Sequence, residues 1–105
     1  MSTVSVERDG RICIVTIERP EQRNAVDRET AQGLYDAFKG FDADDGLGVA
    51  VLTGRGGYFC GGADLKGVAT GGGNRIPATG DFGPMGCTRL RLSKPVIAAV
   101  EGPAV

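Results

Sequence analysis

The order of elements in this chain is set by one stretch, VAVLTGRGGYFCGGADLK, residues 49–66. It begins with a continuous apolar run, residues 49–53, which is typical of a strand buried on both faces of a sheet. A glycine-rich region follows, and a second apolar run of the same kind spans residues 96–100. Because open α/β sheets bind ligands at the carboxyl ends of their strands, the loop after residue 53 is the first candidate for a site.

Two short segments that are typical of strands precede that stretch. Val4 and Val6 alternate with polar neighbours, and residues 12–18 divide into one face with Ile12, Ile14, Thr16 and Glu18 and another with Cys13, Val15 and Ile17. Asp9-Gly10 between them is a strong signal for a tight turn, so the two segments predict a β-hairpin. Pro20 ends the second strand, because proline has no N–H to donate to a ladder.

Helical spacing marks the segment after residue 27. Its apolar positions recur as one stripe, made by Ala31, Leu34, Tyr35 and Phe38. Asp27 is a good N-cap, with Asn24 as a competitor for that role. The stripe predicts a helix of about three turns, ended by Gly40 and an acidic run at residues 42–46. That run is interpreted as a solvated loop, since it lacks the later glutamate of a calcium loop.

A second helix is predicted between the two apolar runs. Pro84 suits its first turn, and Ser93-Lys94-Pro95 closes it, because the residue before a proline resists the helical region. The predicted order is therefore β-β-α-β-α-β, which requires right-handed crossovers and a mostly parallel sheet with flanking helices. The expected fold class is α/β.

The composition excludes several classes of protein. The chain has 105 residues, which allows one domain at most, and its 41% of hydrophobic residues is ordinary for a globular protein. A formal net charge of −1 gives no general attraction to nucleic acid or to an anionic membrane. With no histidine and three scattered cysteines, the sequence supports neither a Ser-His or Cys-His nucleophile nor a zinc or other metal site. The first seven residues lack the apolar core of a signal peptide, so a cytoplasmic location is expected.

The loop after residue 53 does not fit the two common phosphate-binding motifs. A dinucleotide fingerprint counted from Gly54 needs glycine where Phe59 stands, and a P-loop counted from Gly56 needs lysine where Gly62 stands. What remains is a glycine-containing loop that exposes backbone N–H groups at the start of a helical turn. Such groups form one half of an oxyanion hole for a carbonyl oxygen. The same glycines also suit a tight turn with no ligand, and the residues alone leave both interpretations open.

Three segments of the chain, taken in order, resemble a known family. They are RPEQRNAV (residues 19–26), VAVLTG with FCGGADL (49–54 and 59–65) and KPVIAAVEG (94–102). Together they are similar to the crotonase (enoyl-CoA hydratase/isomerase) superfamily and cover nearly the whole chain. The resemblance implies a crotonase-like ββα spiral. Residues 1–105 would form the N-terminal part of a single domain whose C-terminal part is absent.

The resemblance also implies roles for particular residues. The N–H of Ala63 would donate to the thioester oxygen of an acyl-CoA substrate. The other implied substrate-binding residues are Glu21, Gln22, Arg23, Ala25, Gly61, Gly62, Asp64 and Leu65. The family usually has alanine or serine where this chain has Gly61. No metal or redox cofactor is implied, because coenzyme A is part of the substrate.

The family's remaining catalytic groups fall outside this sequence. The second N–H donor is expected just after Val105, and the catalytic glutamates later still. Residues 1–105 alone are therefore expected to be inactive. Within the chain, Asp64 is interpreted as a helix-start residue, Cys60 as a packing residue and Glu101 as structural.

The leading functional hypothesis is a lyase that hydrates 2-enoyl-CoA thioesters through an enolate. Double-bond isomerisation or another crotonase-type reaction is the alternative, and a non-catalytic binding or scaffold protein is a hypothesis of a different class. The expected partner is the acyl-CoA substrate, with no nucleic acid and no membrane, and the family implies a homotrimer or hexamer. A basic cluster is either a solvated helix face or a contact to a CoA phosphate; it consists of Arg89, Arg91 and Lys94.

Overall fold

The computed structural model describes residues 3–65 and 79–105, which contain a four-stranded sheet and a long helix. The strands are β1 (Val4–Asp9), β2 (Ile12–Ile17), β3 (Val49–Gly54) and β4 (Val96–Ala99), and the helix is α1 (Arg28–Ala43). A short 3₁₀ helix, Pro20–Gln22, lies between β2 and α1. The strands neighbour one another in the sheet in the order in which they occur in the sequence.

β1 and β2 form the predicted antiparallel hairpin. Asp9 lies opposite Ile12, which leaves a two-residue turn in which Gly10 has a φ of 60°. A positive φ at the first turn residue suits the right-handed twist of the flanking strands, and glycine adopts it without steric cost. The Asp9-Gly10 signal therefore set both the position of the turn and the register of the hairpin.

The core lies between β2 and α1. On β2, the inward-facing residues Cys13, Val15 and Ile17 are 1%, 0% and 2% exposed. The helix contributes its own buried apolar residues to the same cluster, and these are Ala31, Leu34, Phe38 and Phe41. Burying each large apolar side chain stabilises the fold by about 1.5–3 kcal/mol, so this contact fixes where α1 sits on the sheet.

The predicted mostly parallel sheet is confirmed, because β2 pairs with β3 and β3 pairs with β4 in parallel. Ile17 at the end of β2 is opposite Gly54 at the end of β3. The segments that follow these two strands therefore both start at the carboxyl ends of the parallel strands. This alignment brings the 19–26 region and the 60–65 region together.

Helix α1 begins as predicted and ends later than predicted. The N–H of Thr30 donates to Oδ1 of Asp27 at 2.9 Å, which confirms Asp27 as the N-cap. The helix does not stop at Gly40 but continues to Ala43, for a total of 16 residues. A glycine inside a helix costs only about 1 kcal/mol relative to alanine, and the burial of Phe41 one residue later outweighs that cost.

The predicted second helix is wrong within the described residues. Residues 79–95 are irregular, and the N–H groups of Gly83 and Gly86 each donate to the other's carbonyl, at 3.1 and 2.9 Å. Gly86 has a φ of 79° and packs so closely on the Ala31 carbonyl that a Cβ there would collide with it. This contact with α1 is long-range, so the local signals at Pro84 and Pro95 did not reveal it.

The two apolar runs do form strands, but neither is buried on both faces. In β3 only Ala50 is buried, and in β4 all residues are exposed, with Ile97 at 58%. β4 lies at the edge of the sheet, and α1 covers the β2 end instead. None of the helices in residues 3–65 and 79–105 is long and apolar enough to cross a membrane.

Candidate active site

Two segments that the sequence nominated for substrate binding lie side by side. The first is the turn at residues 19–26, which follows β2, and the second is the loop at residues 60–65, which follows β3. The N–H of Val26 donates to the carbonyl of Gly62 at 2.7 Å. The N–H of Asp64 donates to the carbonyl of Val26 at 3.0 Å. These backbone hydrogen bonds join the 19–26 turn and the 60–65 loop as a single parallel bridge.

The 19–26 turn is built around a buried asparagine. Asn24 is 0% exposed and has a φ of 55°, a left-handed conformation that asparagine tolerates better than most residues. Its Oδ1 accepts from the N–H of Arg19 at 2.9 Å, and its Nδ2 donates to the carbonyls of Arg55 at 2.8 Å and Tyr58 at 2.5 Å. Asn24 therefore does not cap α1; it fastens the turn to the backbone that leaves β3.

Glycine allows the turn and the loop to approach closely. A Cβ on Gly61 would lie 2.9 Å from the carbonyl oxygen of Arg23, closer than real Cβ atoms come. Gly62 has a φ of 88°, in the left-handed region that favours glycine. In this chain, the alanine or serine that is usual at the position of Gly61 would require the Arg23 carbonyl to shift.

Ala63 presents its backbone N–H on the side away from the 19–26 turn. In the bridge between the two segments, Val26 makes both hydrogen bonds, and they go to Gly62 and Asp64 rather than to Ala63. The N–H of Ala63 therefore points to the opposite side of the loop, and the residue is exposed. Among the described residues, this N–H has no hydrogen-bond acceptor. Within residues 3–65 and 79–105, nothing therefore competes with a ligand oxygen for this donor.

Residues 103–105 run beside the same loop. The N–H groups of Phe59 and Cys60 donate to the carbonyl of Pro103 at 3.1 and 3.2 Å, and the N–H of Val105 donates to the carbonyl of Cys60 at 3.0 Å. A Cβ on Gly62 would meet the side chain of Val105 at 3.4 Å. The side chain of Val105 therefore lies close to Gly62, the residue that precedes Ala63.

The other nominated residues differ in exposure. Glu21, Arg23 and Gly61 are exposed, as is Leu65 at 80%. Gln22 and Ala25 are half-buried. Asp64 is 9% exposed and pairs with the guanidinium of Arg19 at 3.0 Å, a contact that the sequence analysis missed. The opposite charges of Arg19 and the two acidic residues, Asp27 and Asp64, make such an ion pair possible. Because these residues are far apart in the sequence, the sequence alone does not indicate that they meet.

The cysteines and Glu101 are the other residues that were weighed for a catalytic role. Cys60 is 6% exposed, and its sulfur accepts a hydrogen bond from the N–H of Gly62 at 3.4 Å. Burial raises the pKa of the Cys13 and Cys87 thiols, which disfavours the reactive thiolate at neutral pH. Glu101 is exposed, in the turn after β4.

Several residues of the acidic run and the basic cluster bind other parts of the described chain. Lys94 donates to the carbonyls of Phe41 and Asp44, so it caps the carboxyl end of α1 rather than extending a surface with Arg89 and Arg91. Arg91 is exposed and Arg89 is half-buried. The Asp44 side chain pairs with an arginine of β1, and Asp42 accepts from Ser93, so the acidic run is partly engaged rather than fully solvated.

Known proteins match this chain along nearly its whole length. The family model for enoyl-CoA hydratase/isomerase matches residues 7–105. The chain belongs to the enoyl-CoA hydratase/isomerase family. Enoyl-CoA hydratase EchA19 of Mycobacterium tuberculosis is 42% identical over 104 residues, which cover 95% of this chain and 39% of that protein. Carnitinyl-CoA dehydratase of Salmonella arizonae is 41% identical over 105 residues, which cover 95% and 38%.

Solved structures of enoyl-CoA hydratase/isomerase relatives share the fold. An enoyl-CoA hydratase from Mycobacterium tuberculosis superposes with a TM-score of 0.86 at 46% identity, covering 97% of this chain and 39% of that one. A carnitinyl-CoA hydratase from Mycobacterium avium superposes with a TM-score of 0.89 at 35% identity, covering 97% and 40%. The crotonase-type fold is thus shown, and the chain spans about two fifths of the length of these relatives.

Proposed function

We propose that the protein carrying this chain hydrates 2-enoyl-CoA thioesters, and that residues 1–105 are the N-terminal part of its single crotonase-like domain. The observation that carries the proposal is the outward-directed N–H of Ala63, an exposed residue in the loop that follows the parallel strand β3. The names of the similar proteins support the substrate class, because they act on enoyl-CoA or carnitinyl-CoA. Dehydration of a hydroxyacyl-CoA is the same reaction in reverse.

The chemistry explains why an N–H donor is needed. When water adds to C3 of the enoyl group, its oxygen bonds to C3 and one of its protons goes to a base. The π electrons move toward the thioester oxygen as an enolate, and C2 then takes a proton. A backbone N–H placed about 2.7–3.1 Å from that oxygen stabilises the charge as it develops. We propose Ala63 as this donor.

The second donor and the acid–base residues are proposed to lie beyond residue 105. The position of Val105 beside Gly62 supports this arrangement, because the following backbone starts close to the Ala63 donor. No metal or redox cofactor takes part in the reaction as written, since coenzyme A belongs to the substrate. Residues 1–105 alone are therefore expected to be inactive.

Substrate binding is assigned to the exposed side of the joined segments. The guanidinium of Arg23, with Glu21, Gln22 and Ala25 beside it, is proposed to meet the polar CoA portion, because guanidinium groups bind phosphates well. The backbone of Gly61 is proposed to help hold the adenine end of CoA, with the backbone of Gly62 next to it, and Leu65 offers an exposed apolar surface. Asp64 is proposed to contribute to the site through its backbone hydrogen bond to Val26 and its ion pair with Arg19. A cytoplasmic homotrimer or hexamer completes the proposal.

Isomerisation is the second candidate: loss of the C2 proton from a 3-enoyl-CoA gives a dienolate, which also carries its charge on the thioester oxygen, and protonation at C4 completes the shift of the double bond. The description of the matching family, enoyl-CoA hydratase/isomerase, includes isomerisation as well as hydration. Assaying both 2-enoyl and 3-enoyl thioesters separates the two. A protein that binds acyl-CoA with no turnover of either would be the non-catalytic scaffold.

Replacement of the donor tests the proposal. Ala63→Pro removes the N–H, while the hydrogen bonds of Gly62 and Asp64 to Val26 do not involve it. In the full-length protein, turnover of crotonyl-CoA should fall about 100- to 1000-fold, the loss measured for an oxyanion-hole donor. Ala63→Ser keeps the N–H at an exposed position and should stay close to wild type.

Hydration is measured as the loss of enoyl absorbance. Residues 1–105 alone and a blank without enzyme are measured in parallel. Circular dichroism confirms that each variant is folded. A folded proline variant with undiminished turnover would remove Ala63 from the mechanism.

A further inference from the structure

One largely buried guanidinium joins the two segments of the site. Arg19 has a side chain that is only 13% exposed. Its Nη1 donates to the carbonyl of Ala25 at 2.6 Å, on the 19–26 turn, and its Nη2 donates to Oδ2 of Asp64 at 3.0 Å, on the 60–65 loop. The same Nη2 lies 3.7 Å from a carboxylate oxygen of Asp27, the N-cap of α1. Turn, loop and helix therefore meet at Arg19.

The charges explain why this position requires an arginine. Asp64 has a side chain that is 10% exposed, and a carboxylate in that environment is costly unless a cation pairs with it. The guanidinium fork points donors in two directions at once, toward Asp64 and toward the carbonyl of Ala25. A lysine ammonium lacks that fixed planar fork, so it can neutralise Asp64 without holding both partners in place.

The Arg19–Asp64 pair acts on the residue next to it. Gly62 and Asp64 flank Ala63, and both are hydrogen-bonded to Val26 through the backbone. The Asp64 side chain is held by Arg19 as well. The peptide that carries the Ala63 N–H is thus fixed by contacts on both sides, all of which come from the 19–26 turn.

We propose that Arg19 is a positioning residue, which through Asp64 sets the direction of the Ala63 N–H relative to the substrate-binding turn. This proposal rests on the proposed hydratase function for its catalytic consequence. Arg19 is not a catalytic residue, because it acts through Asp64. Misplacement of a reacting group by about 1 Å is enough to cost on the order of 100-fold in rate, so a small rotation of this peptide has a large effect.

Kinetics of four variants in the full-length protein test the catalytic part. Arg19→Gln keeps much of the side-chain length but removes the guanidinium that binds Asp64, and kcat for crotonyl-CoA hydration should fall about 10- to 100-fold while KM changes less than about threefold. Adding Asp64→Asn removes the carboxylate charge that the guanidinium stabilised and should restore part of kcat. Arg19→Lys should lie between wild type and Arg19→Gln. Arg8→Gln, which breaks an exposed pair with Asp44, is the matched control and should behave as wild type.

Hydrogen exchange tests the structural part without any need for activity. In the same full-length variants, exchange of the Val26 and Asp64 amides, resolved by fragmentation in the mass spectrometer, should be about tenfold or more faster in Arg19→Gln. Exchange in the β1–β2 hairpin should not change, and Arg8→Gln should match wild type at Val26 and Asp64.

The outcomes separate the two proposals. Unchanged exchange at Val26 and Asp64 in Arg19→Gln overturns the positioning role, whatever the enzyme does. Faster exchange with unchanged kcat in an active enzyme overturns it as well. A wild-type protein that does not hydrate enoyl-CoA overturns the proposed function alone, and the exchange result then decides whether Arg19 fixes the 60–65 loop.

Discussion

Two irregular regions of this molecule are held in very different ways. In the junction, defined as residues 19–26 with residues 60–65, the polar groups that set the backbone are buried: Asn24 is 0% exposed and Asp64 9%. In the 79–95 segment, the hydrogen bond and ion pair of Asp81 lie at the surface, with that side chain 48% exposed. The difference teaches that irregular backbone gains a defined geometry where its polar partners are desolvated, and that is where the candidate donor lies.

The largest effect on stability is expected from Asn24→Ala in the junction. The substitution leaves the N–H of Arg19 and the carbonyls of Arg55 and Tyr58 without this partner, and each buried unsatisfied group costs about 1–3 kcal/mol. Alanine also tolerates the left-handed φ less well. The free energy of unfolding of the full-length protein should fall by about 2–5 kcal/mol, measured by urea denaturation.

Asn24→Gly serves as the control for that experiment. It relieves the left-handed φ without restoring the hydrogen bonds, so it should remain strongly destabilised. A loss below about 1 kcal/mol for both variants would mean that water replaces the side chain and that the junction is no better fixed than the 79–95 segment.

The next effect probes a tight backbone contact between the 79–95 segment and α1. Gly86→Ala places a Cβ against the Ala31 carbonyl of α1 at a φ of 79°. Strain of the left-handed residue and overpacking together should destabilise the protein by about 2–4 kcal/mol. Gly80→Ala is a matched control, because Gly80 also has a positive φ but open space around it. Equal losses in the two variants would assign the whole effect to φ and leave no role for the contact with α1.

The smallest effect is expected from Asp81→Asn. Tyr35 donates to Asp81 at 2.9 Å and Lys39 lies 3.3 Å away, and these groups are exposed, so the melting temperature should change by no more than about one or two degrees. The hydrogen bond from Tyr35, and after it that from Lys39, lowers the pKa of Asp81. The contribution of the carboxylate is therefore present above about pH 4 and lost as the pH falls below that value.

The pH dependence gives this last prediction a check of its own. Thermal melts of wild type and Asp81→Asn at pH 7 and at successively lower pH should converge in acid. A difference that widens as the pH falls would show that the protonated side chain, and not the carboxylate, stabilises the fold.

Local chemistry made parts of the fold predictable from sequence. Asp9-Gly10 specified the hairpin turn, Asp27 specified the start of α1, and both signals act within three or four residues. Predictions failed where a distant partner decided the outcome. The contact of Gly86 with Ala31 replaced the predicted second helix, and the burial of Phe41 carried α1 past Gly40.

For the candidate site, the sequence by itself determined which residues are present: glycines that let two backbones meet, an asparagine suited to a left-handed turn, and an alanine after a strand. The tertiary structure decided what these residues face. The parallel register of β2 and β3 placed Val26 beside Ala63, and only then did the Ala63 N–H point outward and Arg19 reach Asp64. The physical reason is that a hydrogen bond or an ion pair depends on distance and direction, and residues 45 positions apart acquire both only when the sheet forms.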